Sequence, residues 1–316
     1  MASPVSTRTV GQTLRQAAGR LVDSDSPDLD AELLLADVLG LERPGLLARL
    51  RDPFPDDAGP AFQALVDRRV AGEPVAYILG RAWFHGLSFE VSPAVLIPRP
   101  ETELLVDWGL ACLQDRDRHL PAARVLDVGT GSGAVIVALA AAWRDRFPAA
   151  AGRPEPRWQA VDLSAAALEV ATANAQRSVP EATIAFVCAD LWPEPVDVTF
   201  DLVLANLPYV GLDEADLLAR DVRDHEPHEA LFAGPDGLDC IRRLVADLPR
   251  RLAPGGAVGL EVGWKQAEAV ARLLAEALPG VAVEIRKDLA GIGRLVCGRV
   301  PGGGGLVWTA DLASGR

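Results

Sequence analysis

The chain has 316 residues, 49% of them hydrophobic, and a formal net charge of −13. This length exceeds that of a typical single domain, and the apolar content is sufficient for a sizeable core. Because proteins bind duplex DNA largely through Lys and Arg, 31 basic against 44 acidic residues argue against a DNA-binding protein.

The first 75 residues are predicted to form a small helical domain. Ser26-Pro27 marks a helix start, and apolar residues at helical spacing continue from Leu29 until Gly40. Residues 61–70 repeat the amphipathic pattern. These helices are predicted to pack as a bundle.

Residues 76–100 are predicted to be a linker that contains a β-hairpin, since residues 83–91 alternate loosely around a turn at Gly86. In the next segment, Ile97–Glu103, two prolines flank an arginine. Its simplest interpretation is a connection into a helix that begins at Pro100, where acids in the first turn favour the helix dipole.

A glycine-rich turn follows the first strand of the second domain. After a short, mainly apolar strand at 124–128 come Gly129, Thr130, Gly131, Ser132 and Gly133, and then an apolar helix. Such a turn lets the backbone approach a ligand closely. Its G-x-G-x-G spacing departs from the dinucleotide fingerprint, which favours a nucleoside cofactor without phosphates, such as S-adenosylmethionine. A tight turn without any ligand would also explain the glycines.

Acidic residues at strand ends extend this predicted cofactor site. Asp162 ends the strand at 158–162, where a carboxylate can bind both ribose hydroxyls. Asp190 and Trp192 follow the third strand, where a carboxylate could accept a hydrogen bond from the adenine amino group and an aromatic ring could contact adenine. Trp192 could equally be a core residue. Asp127 could orient the glycine loop or simply end its strand.

The tetrapeptide Asn206-Leu207-Pro208-Tyr209 ends the apolar strand near 201–206. Asn206 Oδ1 and the Leu207 carbonyl could accept hydrogen bonds from a planar nitrogen, and Tyr209 offers a stacking plane. Pro208 fixes its own φ and restrains the residue before it. Alone, these residues indicate an ordinary proline turn. Beside a cofactor site, they predict a site for the acceptor nitrogen, at which Asn206 also borders the cofactor.

Strands and helices alternate from residue 124 onward. Seven strands are predicted, near residues 124–128, 158–162, 183–188, 201–206, 257–262, 281–286 and 293–298. The last two are joined by too few residues for a helical crossover, which favours an antiparallel pair. The pattern predicts an α/β fold with a doubly wound, Rossmann-like sheet within residues 101–300. Residues 301–316 are predicted to be a disordered tail.

No long apolar run or signal-peptide pattern is present in the sequence, so we expect a cytoplasmic protein without membrane association. Four separated cysteines in apolar surroundings are predicted to be buried, reduced thiols, namely Cys112, Cys188, Cys240 and Cys297. The four histidines lack zinc-site spacing, and no metal is expected: His85, His119, His225 and His228.

The chain resembles the release factor glutamine methyltransferases in several motifs that occur in the same order. These are Ile97–Glu103, Asp127–Gly133, Asp162, Ala189–Trp192, Asn206–Tyr209, Glu226–Pro227, Leu231–Leu238 and Asp288–Gly291. The resemblance implies a seven-stranded methyltransferase sheet with S-adenosyl-L-methionine as cofactor. It implies that the protein methylates the amide of the glutamine in the Gly-Gly-Gln motif of peptide chain release factors, the proteins of translation termination.

The resemblance also implies that the helical domain helps to hold the release factor and that Ile97–Glu103 covers the cofactor. One departure concerns the tetrapeptide, because Leu207 stands where the family has proline. The backbone carbonyl is retained, so local rigidity is lost rather than the acceptor group.

The expected mechanism is direct in-line methyl transfer with proton loss afterwards and no covalent enzyme intermediate. Two other functions remain open on the sequence. One is methylation of another planar nitrogen, such as adenine in nucleic acid or a small metabolite, although 5% aromatic residues offer little stacking surface for a flipped base. The other is a non-catalytic adaptor that binds the cofactor or the release factor.

Overall fold

The computed structural model describes residues 8–116, 120–148 and 152–302, which divide into two compact units. One unit extends to Arg81 and includes Leu218–His225, and the other contains Ala82–Leu217 and the residues from Glu226 onward. The sequence did not indicate that Leu218–His225 joins the helical unit. The predicted domain boundaries at 75 and 100 stay a prediction. The predicted tail, from residue 303, and His119 lie outside the described residues.

The helical unit is a bundle around buried apolar side chains that include Leu34, Leu35, Leu46 and Val66. Its first five helices are α1 (Val10–Ala18), α2 (Pro27–Val38), α3 (Arg43–Leu47), α4 (Gly59–Val70) and α5 (Val75–Leu79). A sixth helix, Arg220–His225, comes from a later part of the chain and is numbered α9 in chain order. Arg69 explains this addition, because its guanidinium contacts Asp30 at 2.7 Å and Asp221 at 3.3 Å.

The predicted hairpin is present as β1 (Arg81–Phe84) and β2 (Leu87–Glu90), which form a two-stranded sheet. His85 and Gly86 make the turn with φ of +49° and +75°. Positive φ at both central positions matches the twist of a tight hairpin.

The predicted seven-stranded sheet is confirmed. Its strands are β3 (Arg124–Val128), β4 (Arg157–Asp162), β5 (Ile184–Cys188), β6 (Phe200–Ala205), β7 (Leu252–Glu261), β8 (Ala282–Lys287) and β9 (Gly293–Arg299). The strand order is β5-β4-β3-β6-β7-β9-β8, and β9 is antiparallel to both of its neighbours. The predicted antiparallel pairing of the last two strands is therefore also confirmed.

Successive strand residues pack into cores on opposite faces of the sheet. Val125 and Leu202 face one core with α6 (Glu103–Asp115) and α7 (Ala134–Arg146). Leu126 and Val203 face the other core with α10 (Asp239–Arg251) and α11 (Ala267–Ala277), and α8 (Ala165–Ser178) contacts β4 and β5. Among the described residues, none of the helices is long and apolar enough to cross a bilayer.

The prediction that all four cysteines are buried was wrong for two of them. Cys112 and Cys297 are buried, whereas Cys240 is half-buried and Cys188 is exposed at the end of the edge strand β5. An edge strand is covered on one side only, so an apolar run in the sequence does not ensure burial there.

Candidate cofactor and acceptor site

Three parallel strands bring the predicted site residues to one edge of the sheet. Val128, at the end of β3, pairs with Val161 of β4 and Ala205 of β6. The residues that follow these positions along the chain therefore meet at the carboxyl edge, where open α/β sheets bind their ligands.

A cleft of about 190 Å³ opens at this edge. Nine of the predicted site residues line it: Gly129, Thr130, Gly131, Ser132, Asp162, Asp190, Asn206, Leu207 and Pro208. Three predicted site residues are not among its lining residues: Gly133, Trp192 and Tyr209.

The glycine loop needs glycine at its alternate positions. Gly129, Gly131 and Gly133 have φ of +70°, +54° and +79°, in the left-handed region that other residues adopt only at a cost. No atom lies within 4 Å of where a Gly131 side chain would begin, so the loop presents bare backbone to the cleft. Gly133 instead serves packing, because a Cβ there would lie 3.1 Å from the Ala171 Cβ.

Asp162 holds the glycine loop as well as lining the cleft. Its Oδ2 accepts a hydrogen bond from the Gly131 N–H at 2.8 Å, and Oδ1 accepts one from the Ser164 N–H at 2.9 Å. A carboxylate can accept about four hydrogen bonds, so lone pairs remain for ribose hydroxyls. Ser164 separately caps α8 through the Ala167 N–H.

Asp127 is buried below the loop and accepts a hydrogen bond from Thr130 Oγ1 at 2.6 Å. The Ile136 N–H also interacts with this carboxyl and lowers its pKa. Desolvation by burial raises the pKa of Asp127 to about 7, and these hydrogen bonds oppose that rise. Of the two interpretations of Asp127, this geometry supports the one in which it orients the glycine loop.

Asp190 and Trp192 separate in the structure although they are two residues apart. Asp190 lines the cleft and pairs with Arg243 at 2.6 Å. Trp192 turns into the core, where it stacks on Phe200 with ring centroids 6.5 Å apart and Arg251 lies over its ring. The structure thus places Trp192 in the core and not among the residues that line the cleft, while its contact with the cofactor stays a prediction.

Asn206 is fixed by a side chain from a distant part of the chain. Its Nδ2 donates to Thr102 Oγ1 at 3.1 Å. Leu207 is buried in a core cluster, and its Cδ2 lies 2.9 Å from where a Gly129 Cβ would be. The side chain that replaces the family's proline therefore fills space directly beneath the glycine loop.

The backbone after Asn206 is clamped by the motif at 231–238. Val210 donates to the Leu231 carbonyl at 2.9 Å and accepts from the Ala233 N–H at 3.0 Å. Gln266 Nε2 donates to the Tyr209 carbonyl at 2.8 Å. These bonds hold Tyr209 and Val210 by their backbone, which gives the motif at 231–238 a structural role.

The segment before α6 is tied down by a buried acid. Glu226 accepts a hydrogen bond from the Ile97 N–H at 3.1 Å and pairs with Arg99. Beside these contacts, Val95, Leu96 and Pro98 form an apolar wall of the cleft. The sequence motifs around Arg99 and Glu226 therefore belong to one structural unit, which forms one side of the site.

Some residues of the site were not identified from the sequence. Thr102, Arg243 and Ala94 line the cleft, and the buried Glu261 interacts with Thr102. Arg243 lies on α10, far in sequence from the glycine loop, and no local sequence pattern identifies it as a site residue. Thr102 lies within the motif at 97–103, which was the available signal. Within the described ranges, no three potential metal ligands lie together.

Comparison with known proteins adds independent information. Residues 12–80 match the family model described as the PrmC N-terminal domain, and residues 125–225 match a model described as a methyltransferase domain. A release factor glutamine methyltransferase from Bordetella pertussis is 44% identical over 278 residues, which cover 87% of this chain and 96% of that protein.

The release factor glutamine methyltransferase of Bacillus subtilis is 37% identical over 292 residues, 92% of this chain and 97% of that protein. A solved structure, a release factor-specific protein-(glutamine-N5) methyltransferase from Alicyclobacillus acidocaldarius, is 33% identical. The match covers 67% of this chain and 99% of that chain, with a TM-score of 0.38.

Proposed function

The chain belongs to the release factor glutamine methyltransferase family, and from this premise we propose that it methylates the side-chain amide of the glutamine in the Gly-Gly-Gln motif of a peptide chain release factor. The observation that carries the proposal is the single cleft lined by both the glycine loop and the segment Asn206–Pro208. One group of residues suits a nucleoside cofactor, and the other suits a planar acceptor nitrogen.

The residues that line the cleft offer hydrogen-bonding groups that suit S-adenosylmethionine. The bare backbone at Gly131 allows close approach, Asp162 has lone pairs for ribose hydroxyls, and Asp190 can accept from the adenine amino group. When bound there, the cofactor supplies an electrophilic methyl group on a sulfonium.

The remaining task of the protein is to orient the acceptor amide. Asn206 Oδ1 and the Leu207 carbonyl accept its N–H groups, which aims the nitrogen lone pair at the methyl group. No serine or cysteine nucleophile is required, because the acceptor is itself the nucleophile. A protein that acts on this substrate is expected in the cytoplasm, where translation terminates.

A labelling experiment tests the choice of substrate. With a methyl-labelled cofactor, we expect label in the release factor and loss of all label when the Gly-Gly-Gln glutamine is replaced by alanine. Added DNA is expected neither to be labelled nor to compete at moderate salt, since the chain carries a net charge of −13. Strong labelling of DNA would favour a nucleic-acid substrate. Labelling of neither would favour a metabolite substrate or an adaptor.

Leu207→Pro tests the departure from the family tetrapeptide. We expect turnover per folded molecule to be kept or raised, because proline restores the φ restraint on the backbone carbonyl. We expect the free energy of unfolding to fall by about 1–3 kcal/mol, since the buried leucine side chain is lost. Urea denaturation and single-turnover rates measure the two effects. An inactive but folded variant would mean that the acceptor pocket differs from that of the family.

A further inference from the structure

Glu261, the last residue of β7, is a buried carboxyl that the proposed reaction does not use. It is 3% exposed, and its Oε2 has no hydrogen-bond partner among the described residues. Burying a carboxylate is costly unless it is hydrogen-bonded. A group of this kind is therefore a candidate for a functional role.

Glu261 and Asn206 are joined through one hydroxyl group. The Thr102 side chain lies next to the Glu261 carboxylate and lowers its pKa, as a hydroxyl donor does. Thr102 Oγ1 also accepts a hydrogen bond from Asn206 Nδ2 at 3.1 Å. Thr102 is itself 3% exposed, so water has little access to the connection. The chain of bonds runs from the end of β7, through the turn before α6, to the end of β6.

The single hydrogen of the Thr102 hydroxyl determines which groups donate and which accept along this connection. An ionised carboxylate only accepts hydrogen bonds, so Thr102 must donate its single hydrogen to Glu261. Thr102 can then only accept from Asn206, which must present its NH₂ group. Asn206 Oδ1 consequently points away from Thr102 and is free for another donor.

We propose that Glu261 is a positioning residue, which acts through Thr102 to hold Asn206 with its carbonyl oxygen toward the acceptor amide. This inference rests on the proposed function, because it assigns Asn206 Oδ1 to the substrate N–H. A neutral Glu261 can donate to Thr102 instead. The hydroxyl then can donate to Asn206, and the amide is no longer held in one orientation.

The charge state of Glu261 should therefore appear in the pH dependence. The pKa of Glu261 is raised to about 7, chiefly by burial and also by the nearby Glu101, while Thr102, Arg294 and Arg99 act to lower it. Tyr209 also interacts with Glu261 electrostatically, and burial raises the pKa of this tyrosine to about 12, so it is neutral over the whole range of the titration. Ionised Glu261 is the orienting form, so the rate should rise with pH through about 7.

Replacing Thr102 tests the connection without removing the buried charge. We expect Thr102→Val to lower the single-turnover rate of glutamine methylation about tenfold above pH 7 and to abolish the rise with pH, because the orienting hydrogen bonds are lost. Thr102→Ser keeps the hydroxyl and should restore most of the loss. Glu261→Gln should likewise abolish the rise, since it cannot ionise.

Thr172→Val is the matched control. The Thr172 hydroxyl donates to the Leu168 carbonyl within α8, away from the cleft, so this variant should keep both the rate and its pH profile. If Thr102→Val transfers methyl groups at the wild-type rate with the wild-type pH profile, the positioning role is wrong while the proposed function stands.

A second measurement does not depend on activity. Carbon-13 NMR of the Glu261 carboxyl should give a higher titration midpoint in Thr102→Val than in the wild type, because the lost hydrogen bond had stabilised the carboxylate. An unchanged midpoint would overturn the inference even if no substrate had been found. Failure of the wild type to methylate any release factor would instead count against the proposed function.

Discussion

Asn206→Ala is expected to lower the single-turnover rate of glutamine methylation about 100- to 1000-fold, the usual cost of removing one preorganised contact to the reacting group. Asn206 lines the cleft, and its amide is held by Thr102. Truncation removes the oxygen proposed to accept the substrate N–H and leaves the Thr102 hydroxyl without its donor.

Cofactor affinity provides the internal control for this variant. We expect it to change little, since we propose that Asn206 mainly orients the acceptor, whereas the glycine loop and Asp162 hold the cofactor. Circular dichroism and calorimetry with S-adenosylmethionine would establish folding and binding. A folded Asn206→Ala protein that retains the wild-type rate would refute the orienting mechanism.

Asp162→Ala is expected to weaken S-adenosylmethionine binding by about 1.5–3 kcal/mol, the range for hydrogen bonds to a charged group. This corresponds to about 10- to 140-fold in the dissociation constant. The structure adds a second reason for the loss, because the carboxylate also accepts the Gly131 N–H and so helps to shape the glycine loop. Calorimetry measures the effect directly.

Asp201→Ala is a matched control for this substitution. Like Asp162, Asp201 accepts a backbone hydrogen bond, from the Arg124 N–H at 2.8 Å, but it lies at the opposite edge of the sheet, where it contacts Arg116. We expect its removal to leave cofactor affinity unchanged. Equal affinity in Asp162→Ala and the wild type would remove Asp162 from the cofactor site.

Much of the sheet and of the cofactor loop followed from local sequence. Apolar runs such as 124–128 mark buried parallel strands, and glycines at alternate positions mark a loop with left-handed backbone. Once strands end at a common edge, the residues after them converge. The sequence alone therefore places Asn206 and Asp162 at the same edge of the sheet.

Long-range contacts could not be predicted in this way. Thr102, Asn206 and Glu261 are joined in space but lie far apart along the chain. The direction of the Trp192 side chain depends on Phe200 and Arg251, which no local pattern relates to it. From the sequence, leucine in place of proline at position 207 predicted only a loss of local rigidity. The packing of the Leu207 side chain beneath Gly129 depends on the fold and could not be predicted.

The central claim is that the methyl group goes to one amide nitrogen of a release factor. The most direct measurement is mass mapping of release factor peptides after incubation with this protein and methyl-labelled S-adenosylmethionine. We predict one added methyl group on the Gly-Gly-Gln peptide, located by fragmentation on the glutamine side chain. A methyl group on another residue, or an unmodified peptide under conditions in which the cofactor binds, would contradict the claim.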